Sequence, residues 1–137
     1  KHYDKDNNRS CVLRVSGKGF SLLLTGDMEA PAEKIVLASA HSPQLASQIL
    51  VLGHHGSKTS TSPAFLAAVK PQLAIVSAGY RNQFGHPSSS VIERLTSQKI
   101  AIDNTIKQGT LIYQLSPTSP IQKEVSRERG HYWLNSP

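Results

Sequence analysis

Three short segments of this sequence carry side chains that could bind a metal ion or move a proton: Thr25–Asp27, Leu52–Ser57 and Phe84–Pro87. The first two segments follow apolar runs of the kind that form buried strands, so each is expected at the carboxyl end of a strand. Open α/β sheets place their binding sites at that edge. The arrangement therefore predicts a site there, with Asp and His side chains as its chemical groups.

Asp27 and the adjacent residues His54 and His55 have the donor types that divalent metals use. Asp27 could hold or bridge metal ions, or it could be a turn residue just before a helix. The two histidines would point to opposite sides of an extended chain, so one would bind metal and the other would support it. A catalytic metal usually takes three protein ligands and an open position, so this donor set is incomplete.

His86 lies between a glycine and a proline, and three roles are open to it. It could be a structural loop residue, a metal ligand, or a general acid beside a leaving group. Polar side chains near the histidines could hydrogen-bond a phosphate group, although several of them could instead form a loop that caps the next helix. These candidates for substrate binding are Ser57, Lys58, Thr59, Ser60 and Asn82.

The strands and helices that would position these segments can be predicted from apolar patterning and from caps. The expected strands are Cys11–Val15, Phe20–Leu24, Gln48–Leu52, Leu73–Val76, Ile100–Ile102 and Thr110–Leu115. The expected helices are Ala30–Ala40, Pro63–Val69 and Ser88–Gln98, with Ser62 as the cap of the second. Strands that alternate with helices indicate an α/β fold. Cys11, the single cysteine, is expected to be a buried small hydrophobic residue.

The composition fits one domain or a large part of one, with 137 residues of which 38% are hydrophobic. A formal net charge of +6 favours anionic partners such as nucleic acid or a membrane surface, and scattered basic residues are equally typical of a solvated surface. No apolar run is long enough for a transmembrane helix or a signal peptide. Polar residues set off an N-terminal segment, 1–10, and a C-terminal tail, 116–137, in which residues 132–134 could dock as an apolar anchor.

Taken in order, the segments Thr25–Asp27, Val51–Ser60 and Ala78–Pro87 resemble the carboxyl half of the metallo-β-lactamase-like domain in the ComEC family of competence proteins. The resemblance extends over residues 7–115. It implies an α/β fold of the metallo-β-lactamase type, which is an αββα sandwich. Residues 11–115 would form the carboxyl half of that sandwich.

The resemblance also implies roles for individual residues. Asp27 would be the bridging aspartate, His54 a ligand of the second metal, and His55 a residue behind it that contributes to the metal site. His86 would act in catalysis or substrate positioning, with Asp27 and His54 as the other catalytic residues. The implied cofactor is one or two divalent ions, with Zn²⁺ suited to histidine ligands and Mn²⁺ an alternative at a site that cuts phosphodiesters.

ComEC-type proteins are membrane channels for single-stranded DNA, and the resemblance implies that this domain is the nuclease that degrades the other strand. The expected location is the outer, periplasmic or extracellular, face of the bacterial cytoplasmic membrane. The implied partners are DNA, the transmembrane channel portion of the parent protein, and the upstream half of the domain.

That upstream half normally carries a His-x-His-x-Asp-His motif, and no His-x-His occurs in this sequence. The chain is therefore expected to be a partial domain that is weak or inactive as an enzyme on its own. Two other functions stay open. One is a small-substrate metallohydrolase of the same fold, such as an esterase or lactonase, and the other is a non-catalytic DNA-binding remnant.

Overall fold

Residues 6–39 and 44–126 are described by the computed structural model of the chain. Within these residues the strands are β1 (Leu13–Gly17), β2 (Phe20–Leu24), β3 (Ile49–Val51), β4 (Leu73–Val76), β5 (Ala101–Asn104), β6 (Leu111–Gln114) and β7 (Gln122–Val125). The helices are α1 (Ala30–Ala38), α2 (Pro63–Val69), α3 (Ser89–Ser97) and the single turn α4 (Thr105–Gln108). The predicted alternation of strands and helices is confirmed.

The main sheet has five strands in the order β1-β2-β3-β4-β5. The hairpin β1–β2 is antiparallel, whereas β2, β3, β4 and β5 run parallel to one another. Helical crossovers are what join parallel neighbours in a sheet, which explains why the chain alternates as it does. The carboxyl ends of β2, β3 and β4 consequently lie side by side at one edge.

The helix-covered face of this sheet holds the core. Leu23, Leu50 and Ala74 are paired across β2, β3 and β4 and are fully buried. They belong to one apolar cluster with side chains of the helices, namely Ala32, Phe65, Leu66, Val69, Val91 and Leu95. Side chains alternate between the two faces of a strand, so this cluster accounts for every second residue of the central strands.

The opposite face of the sheet carries apolar residues too, including Leu22, Ile49 and Ile75. These side chains line a groove of about 850 Å³, whose other wall includes Leu111 and Tyr113 of β6. The strands β6 and β7 form a small antiparallel sheet. The described residues therefore form a mixed α/β structure with one mostly parallel sheet, and the complete αββα sandwich stays a prediction.

A buried carboxylate ties the helices to the loop that follows the two adjacent histidines. Glu33 of α1 is fully buried and accepts hydrogen bonds from the backbone N–H groups of Thr61 and Ser62. Arg94 of α3 donates to the carbonyl of Thr61 at 2.5 Å. Bonds to a charged group are stronger than neutral ones, so this loop is firmly held.

Helix α2 begins and ends as predicted. The N–H of Phe65 donates to Ser62 Oγ at 3.3 Å, which makes Ser62 the expected cap. The bounds of β4 also match the prediction. Helix α1 ends at Ala38 rather than Ala40, and Ala40 lies outside the described residues.

One expectation from the sequence is wrong, and the predicted C-terminal tail includes one strand. Cys11 is exposed rather than buried, because β1 starts only at Leu13, on the free edge of the sheet. The segment 116–137 contains strand β7, which pairs with β6 although its polar residues gave no strand signal. Three of its four residues are exposed, so pairing with β6 rather than apolar burial makes it a strand. Residues 132–134 lie outside the described residues.

Candidate functional site

The two adjacent histidines form a tight left-handed turn instead of the expected extended chain. His54 has φ 47° and His55 has φ 58°, and the two ring centroids are 6.2 Å apart. Positive φ values cost non-glycine residues free energy and are often found at functional sites. The turn places both rings at the same edge of the sheet, so the extended backbone from which their opposite orientation was expected is wrong.

The flanking glycines allow this turn to pack closely against its neighbours. A Cβ atom on Gly53 would lie 2.7 Å from the carbonyl oxygen of Met28, and one on Gly56 would lie 2.8 Å from the Cβ of Pro87. Real Cβ atoms do not come so close to other heavy atoms. The N–H of His54 also donates to the carbonyl of Gly26 at 3.0 Å. All three segments selected from the sequence therefore meet.

We call Asp27, His54, His55 and His86 the histidine cluster. The ring of His86 lies 5.6 Å from that of His54 and 6.5 Å from that of His55, measured between centroids. Asp27 Oδ1 lies 3.7 Å from His55 Nε2. The cluster forms where β2, β3 and β4 end, which is the edge predicted from the sequence.

His54 is supported by a carboxylate that the sequence analysis did not select. Its Nδ1 lies 3.2 Å from Oε1 of Glu29, a buried residue just before α1. The approach is close enough for a charge contact but misaligned for a hydrogen bond, so Nδ1 is buried without a hydrogen-bond partner among the described residues. A carboxylate beside one ring nitrogen favours the proton there and leaves the other nitrogen for a ligand.

Glu29 is itself held in place by hydrogen bonds. Its Oε1 accepts from Thr59 Oγ1 at 3.1 Å and from Asn7 Nδ2 at 3.5 Å, and its N–H donates to Asn8 Oδ1 at 3.3 Å. A signal was present in the sequence, because a second carboxylate two residues after Asp27 lies on the same turn. The bonds fix the position of the carboxylate behind His54.

His55 has a different environment. Its Nδ1 lies 2.6 Å from the carbonyl oxygen of Ser77, which directly follows β4. A carbonyl can only accept, so Nδ1 carries the proton and Nε2 is left toward Asp27. The sequence analysis assigned ligation to His54 and support to His55. In the structure both rings have Nδ1 beside a protein oxygen, so their surroundings do not distinguish a ligand from a supporting residue. The division of roles between His54 and His55 therefore stays a prediction.

His86 is placed by a loop that Asn82 closes. The N–H of His86 donates to Asn82 Oδ1 at 2.8 Å, and Asn82 Nδ2 donates to the carbonyls of His86 at 2.8 Å and Gly79 at 3.1 Å. Burial lowers the pKa of His86, and the neighbouring His54 and His55 lower it further. Both effects favour the neutral form of the imidazole.

The predicted substrate-binding residues lie on the loops around the cluster, and most of their polar groups are engaged. Ser60 Oγ donates to the carbonyl of Gly53 at 2.7 Å, and Ser57 Oγ lies 3.0 Å from Thr59 Oγ1. Lys58 is exposed. The role of these residues and of Asn82 in substrate binding stays a prediction.

The donor set fits a metal ion only in part. Within residues 6–39 and 44–126, no group of three or more His, Cys, Asp or Glu side chains is arranged to hold one ion. Asp27 and His55 approach each other as a pair, and His54 has the oriented ring expected of a ligand. Further ligands would have to come from residues outside this set.

A second group of titratable side chains lies at β5, which we call the Asp103 cluster: Asp103, Gln108, Tyr113 and Lys123. Asp103 is buried, and it accepts hydrogen bonds from Tyr113 Oη, from Lys123 Nζ at 2.5 Å and from Gln108 Nε2 at 3.1 Å. Burial alone would raise the pKa of Asp103, but the bonds from Lys123, Tyr113 and Gln108 outweigh it and hold the pKa below the usual value. Burial and the Asp103 charge raise the pKa of Tyr113.

The fold and the histidine cluster define a mixed α/β domain with histidines along one edge of its sheet. The sequence is also similar to several known proteins. It is 40% identical over 132 residues to competence protein ComA of Neisseria gonorrhoeae, a match that covers 96% of this chain and 19% of that protein. It is 44% identical over 104 residues to recombination protein 2 of Haemophilus influenzae, covering 76% of this chain and 13% of that protein.

ComE operon protein 3 of Bacillus subtilis is 38% identical over 108 residues, covering 79% of this chain and 14% of that protein. These names match the family of competence proteins that the motifs resemble. The chain spans less than a fifth of the length of each of these relatives. No protein-family model matches the chain. In the described parts of the chain, every helix is too short or too polar to cross a membrane.

Proposed function

We propose that this chain is part of a metal-dependent phosphodiester hydrolase domain in a ComEC-type DNA-uptake protein. The observation that carries the proposal is the meeting of Asp27, His54, His55 and His86 at the carboxyl edge of a parallel sheet. These residues come from the three segments that resemble the family, and the similarity to competence protein ComA covers 96% of the chain.

The parent protein would lie in the bacterial cytoplasmic membrane with this domain on the outer face, beside the channel portion. Its substrate would be DNA, and its other partner would be the upstream half of the same domain. The described donors are too few for a catalytic ion by themselves, so the upstream half would supply the remaining ligands.

Asp27, His54 and His55 would hold the ion, which would be Zn²⁺ or Mn²⁺. A bound ion would supply an activated water and stabilise the charge that develops on the phosphate. Glu29 and the carbonyl of Ser77 would keep the two histidine rings oriented, since each lies beside an Nδ1 atom.

His86 would assist proton transfer at the leaving oxygen. Burial and the two neighbouring histidines lower the pKa of His86 and so favour its neutral form. A phosphodiester anion beside the ring would favour the protonated form, because an opposite charge raises the pKa of an imidazole. Protonation of His86 would thus accompany substrate binding.

The test is metal-dependent cleavage of plasmid and oligonucleotide DNA by the 137-residue chain and by the full-length parent protein. We expect the parent protein to cleave and the chain alone to cleave poorly or not at all. His86→Ala in the parent protein should lower the rate by about a hundredfold while the metal content is unchanged. Efficient cutting by the short chain would contradict the partial-domain proposal.

The same assay distinguishes the alternatives. A parent protein that hydrolyses small esters but no DNA would favour an esterase or lactonase. One that binds DNA and cleaves neither substrate with any divalent ion would favour a non-catalytic DNA-binding domain.

A further inference from the structure

The loop Gly79–His86, which we call the rim loop, presents two large aromatic side chains to solvent beside the histidine cluster. Tyr80 is 65% exposed and Phe84 is 72% exposed. Single exposed apolar residues are ordinary, but two aromatic rings on one short loop next to a site suggest binding. Neither ring is among the site residues predicted from the sequence.

The rim loop is held by hydrogen bonds, so the exposure of its rings is built into the fold. The side chain of Asn82 bonds to Gly79 and His86, and the N–H of Gly85 donates to the carbonyl of Asn82 at 3.2 Å. Gly85 has φ 64°, and a Cβ there would meet no atom of residues 6–39 or 44–126 within 4 Å, so glycine is needed for the conformation rather than for space. The loop presents Phe84 from a fixed frame.

Phe84 and His86 form a stack that leads into the histidine cluster. Their ring centroids are 5.8 Å apart and their planes differ by 20°. His86 in turn lies 5.6 Å from His54. Phe84 is therefore the outermost ring of a row that starts at the candidate metal ligands, and most of its surface is exposed to solvent.

Positive charge accompanies the rings. The guanidinium carbon of Arg81 lies 5.3 Å from the centroid of the Tyr80 ring, a cation–π distance. Arg81 and Lys58 are both exposed. Stacking rings with nearby cations are how proteins bind single strands of nucleic acid without sequence preference, since every base has a flat face and every linkage a charge.

We propose that the rim loop is a stacking platform for unpaired bases of single-stranded DNA, with a base on Phe84 and the adjoining phosphate near Arg81. This proposal rests on the proposed function and narrows its substrate to a single or locally unpaired strand. In an intact duplex the bases are already stacked and their faces are covered, so Phe84 has nothing to bind there. A strand stacked on Phe84 would present its phosphates to His86 and His54.

The experiment measures binding by the 137-residue chain in a chelating buffer, so that cleavage cannot contribute. The probes are a fluorescein-labelled oligothymidine and an abasic oligonucleotide of the same length and charge. We expect the oligothymidine to bind about 5- to 150-fold more tightly, which is the range for stacking of one base on an aromatic ring. Equal affinity for the two probes would overturn the proposal.

Variants of Phe84 separate stacking from general apolar contact. Phe84→Ala and Phe84→Leu should remove the preference for oligothymidine, and Phe84→Trp should keep it. The matched control is Ile35→Ala, which truncates an exposed apolar residue of α1 and should change nothing. A Phe84→Leu variant that retains the full preference would show that stacking is not the cause, and would overturn the proposal.

Arg81→Gln should weaken the binding of both probes equally. It should also reduce the slope of log affinity against log salt concentration by about 0.7, as expected for one lost phosphate contact to a single strand.

A membrane surface is the competing partner. Phe84-dependent binding to anionic vesicles without any preference for oligothymidine would overturn the proposal in favour of lipid. A third outcome is that the chain prefers oligothymidine but the parent protein cleaves no DNA. That outcome would contradict the proposed hydrolase function and would still support the stacking platform.

Discussion

The histidine cluster and the Asp103 cluster both bring together polar side chains from several segments of the chain, but the hydrogen bonding of those side chains differs between the two clusters. In the Asp103 cluster both carboxylate oxygens accept hydrogen bonds and the residue is buried. In the histidine cluster Nδ1 of His54 is buried without a hydrogen bond to any residue that the structure describes, and the ring of His55 is half exposed. Two of its residues also have positive φ values.

The difference in hydrogen bonding indicates that the Asp103 cluster stabilises the fold and that the histidine cluster serves binding. A polar network whose members are all bonded makes a part of the structure rigid, as Asp103 does where β5, α4, β6 and β7 meet. A cluster with strained backbone and available nitrogen atoms is less favourable in the free protein, and such arrangements are typical of binding sites. We therefore expect the two clusters to respond to mutation in different assays.

The largest effect is expected at the histidine cluster of the full-length parent protein. Asp27→Ala and His54→Ala should reduce DNA cleavage by more than about a hundredfold and lower the metal content, because even groups that only orient ligands contribute 10- to 100-fold. Metal content is measured by mass spectrometry, and His55→Ala should retain more metal. Full retention in His54→Ala with loss in His55→Ala would exchange the roles of the two histidines.

The Asp103 cluster should affect stability instead. Asp103→Asn replaces the charged acceptor of three hydrogen bonds, so the free energy of unfolding of the 137-residue chain should fall by about 2 kcal/mol. Urea denaturation measures this change. Asp6→Asn is the control, since the exposed pair of Asp6 with Arg9 at 3.8 Å should contribute less than about 0.5 kcal/mol. If Asp103→Asn and the unmodified chain had the same free energy of unfolding, the Asp103 cluster would not be a stabilising network, and this difference from the histidine cluster would be lost.

Glu29 tests whether the histidine cluster depends on an orienting carboxylate. Glu29→Gln keeps the shape of the side chain but removes the charge 3.2 Å from His54 Nδ1. We expect about a tenfold loss of metal affinity in the parent protein. Nitrogen NMR of the 137-residue chain should show less proton occupancy at His54 Nδ1 and no change at His55. An unchanged His54 spectrum would show that Glu29 does not set its tautomer.

The smallest effect is the pH dependence of the Asp103 contribution. The pKa of Asp103 is lower in the folded chain than its ordinary value of 3.8, so its stabilisation is complete above about pH 4 and is lost as the pH falls through the folded pKa. The difference in unfolding free energy between the unmodified chain and Asp103→Asn should therefore shrink below pH 3.8. Urea denaturation at several pH values measures it, and a difference that grows on acidification would contradict the assignment.

Local chemistry explains which features could be predicted. Helix α2 was predicted from Pro63 to Val69 because Ser62 caps it and proline suits its first turn, and both signals lie next to the helix in the chain. The strands of the sheet were predicted from apolar runs, with bounds that differ by one or a few residues. Parallel strands end at a common edge, which is why Asp27 and His54 were expected to lie close together, whereas His86 was linked to them only by the family resemblance.

The sequence by itself determined the α/β alternation, the cap of α2 and the edge at which the histidines meet, because each depends on neighbouring residues and on the periods of helix and strand. Only the tertiary structure decided the left-handed turn at His54, the carboxylate of Glu29 beside it, and the Asp103 cluster. Two of the contacts involved join residues 20 or more positions apart, Glu29 with His54 and Asp103 with Lys123. The energy of such contacts comes from burial and packing that no local pattern records.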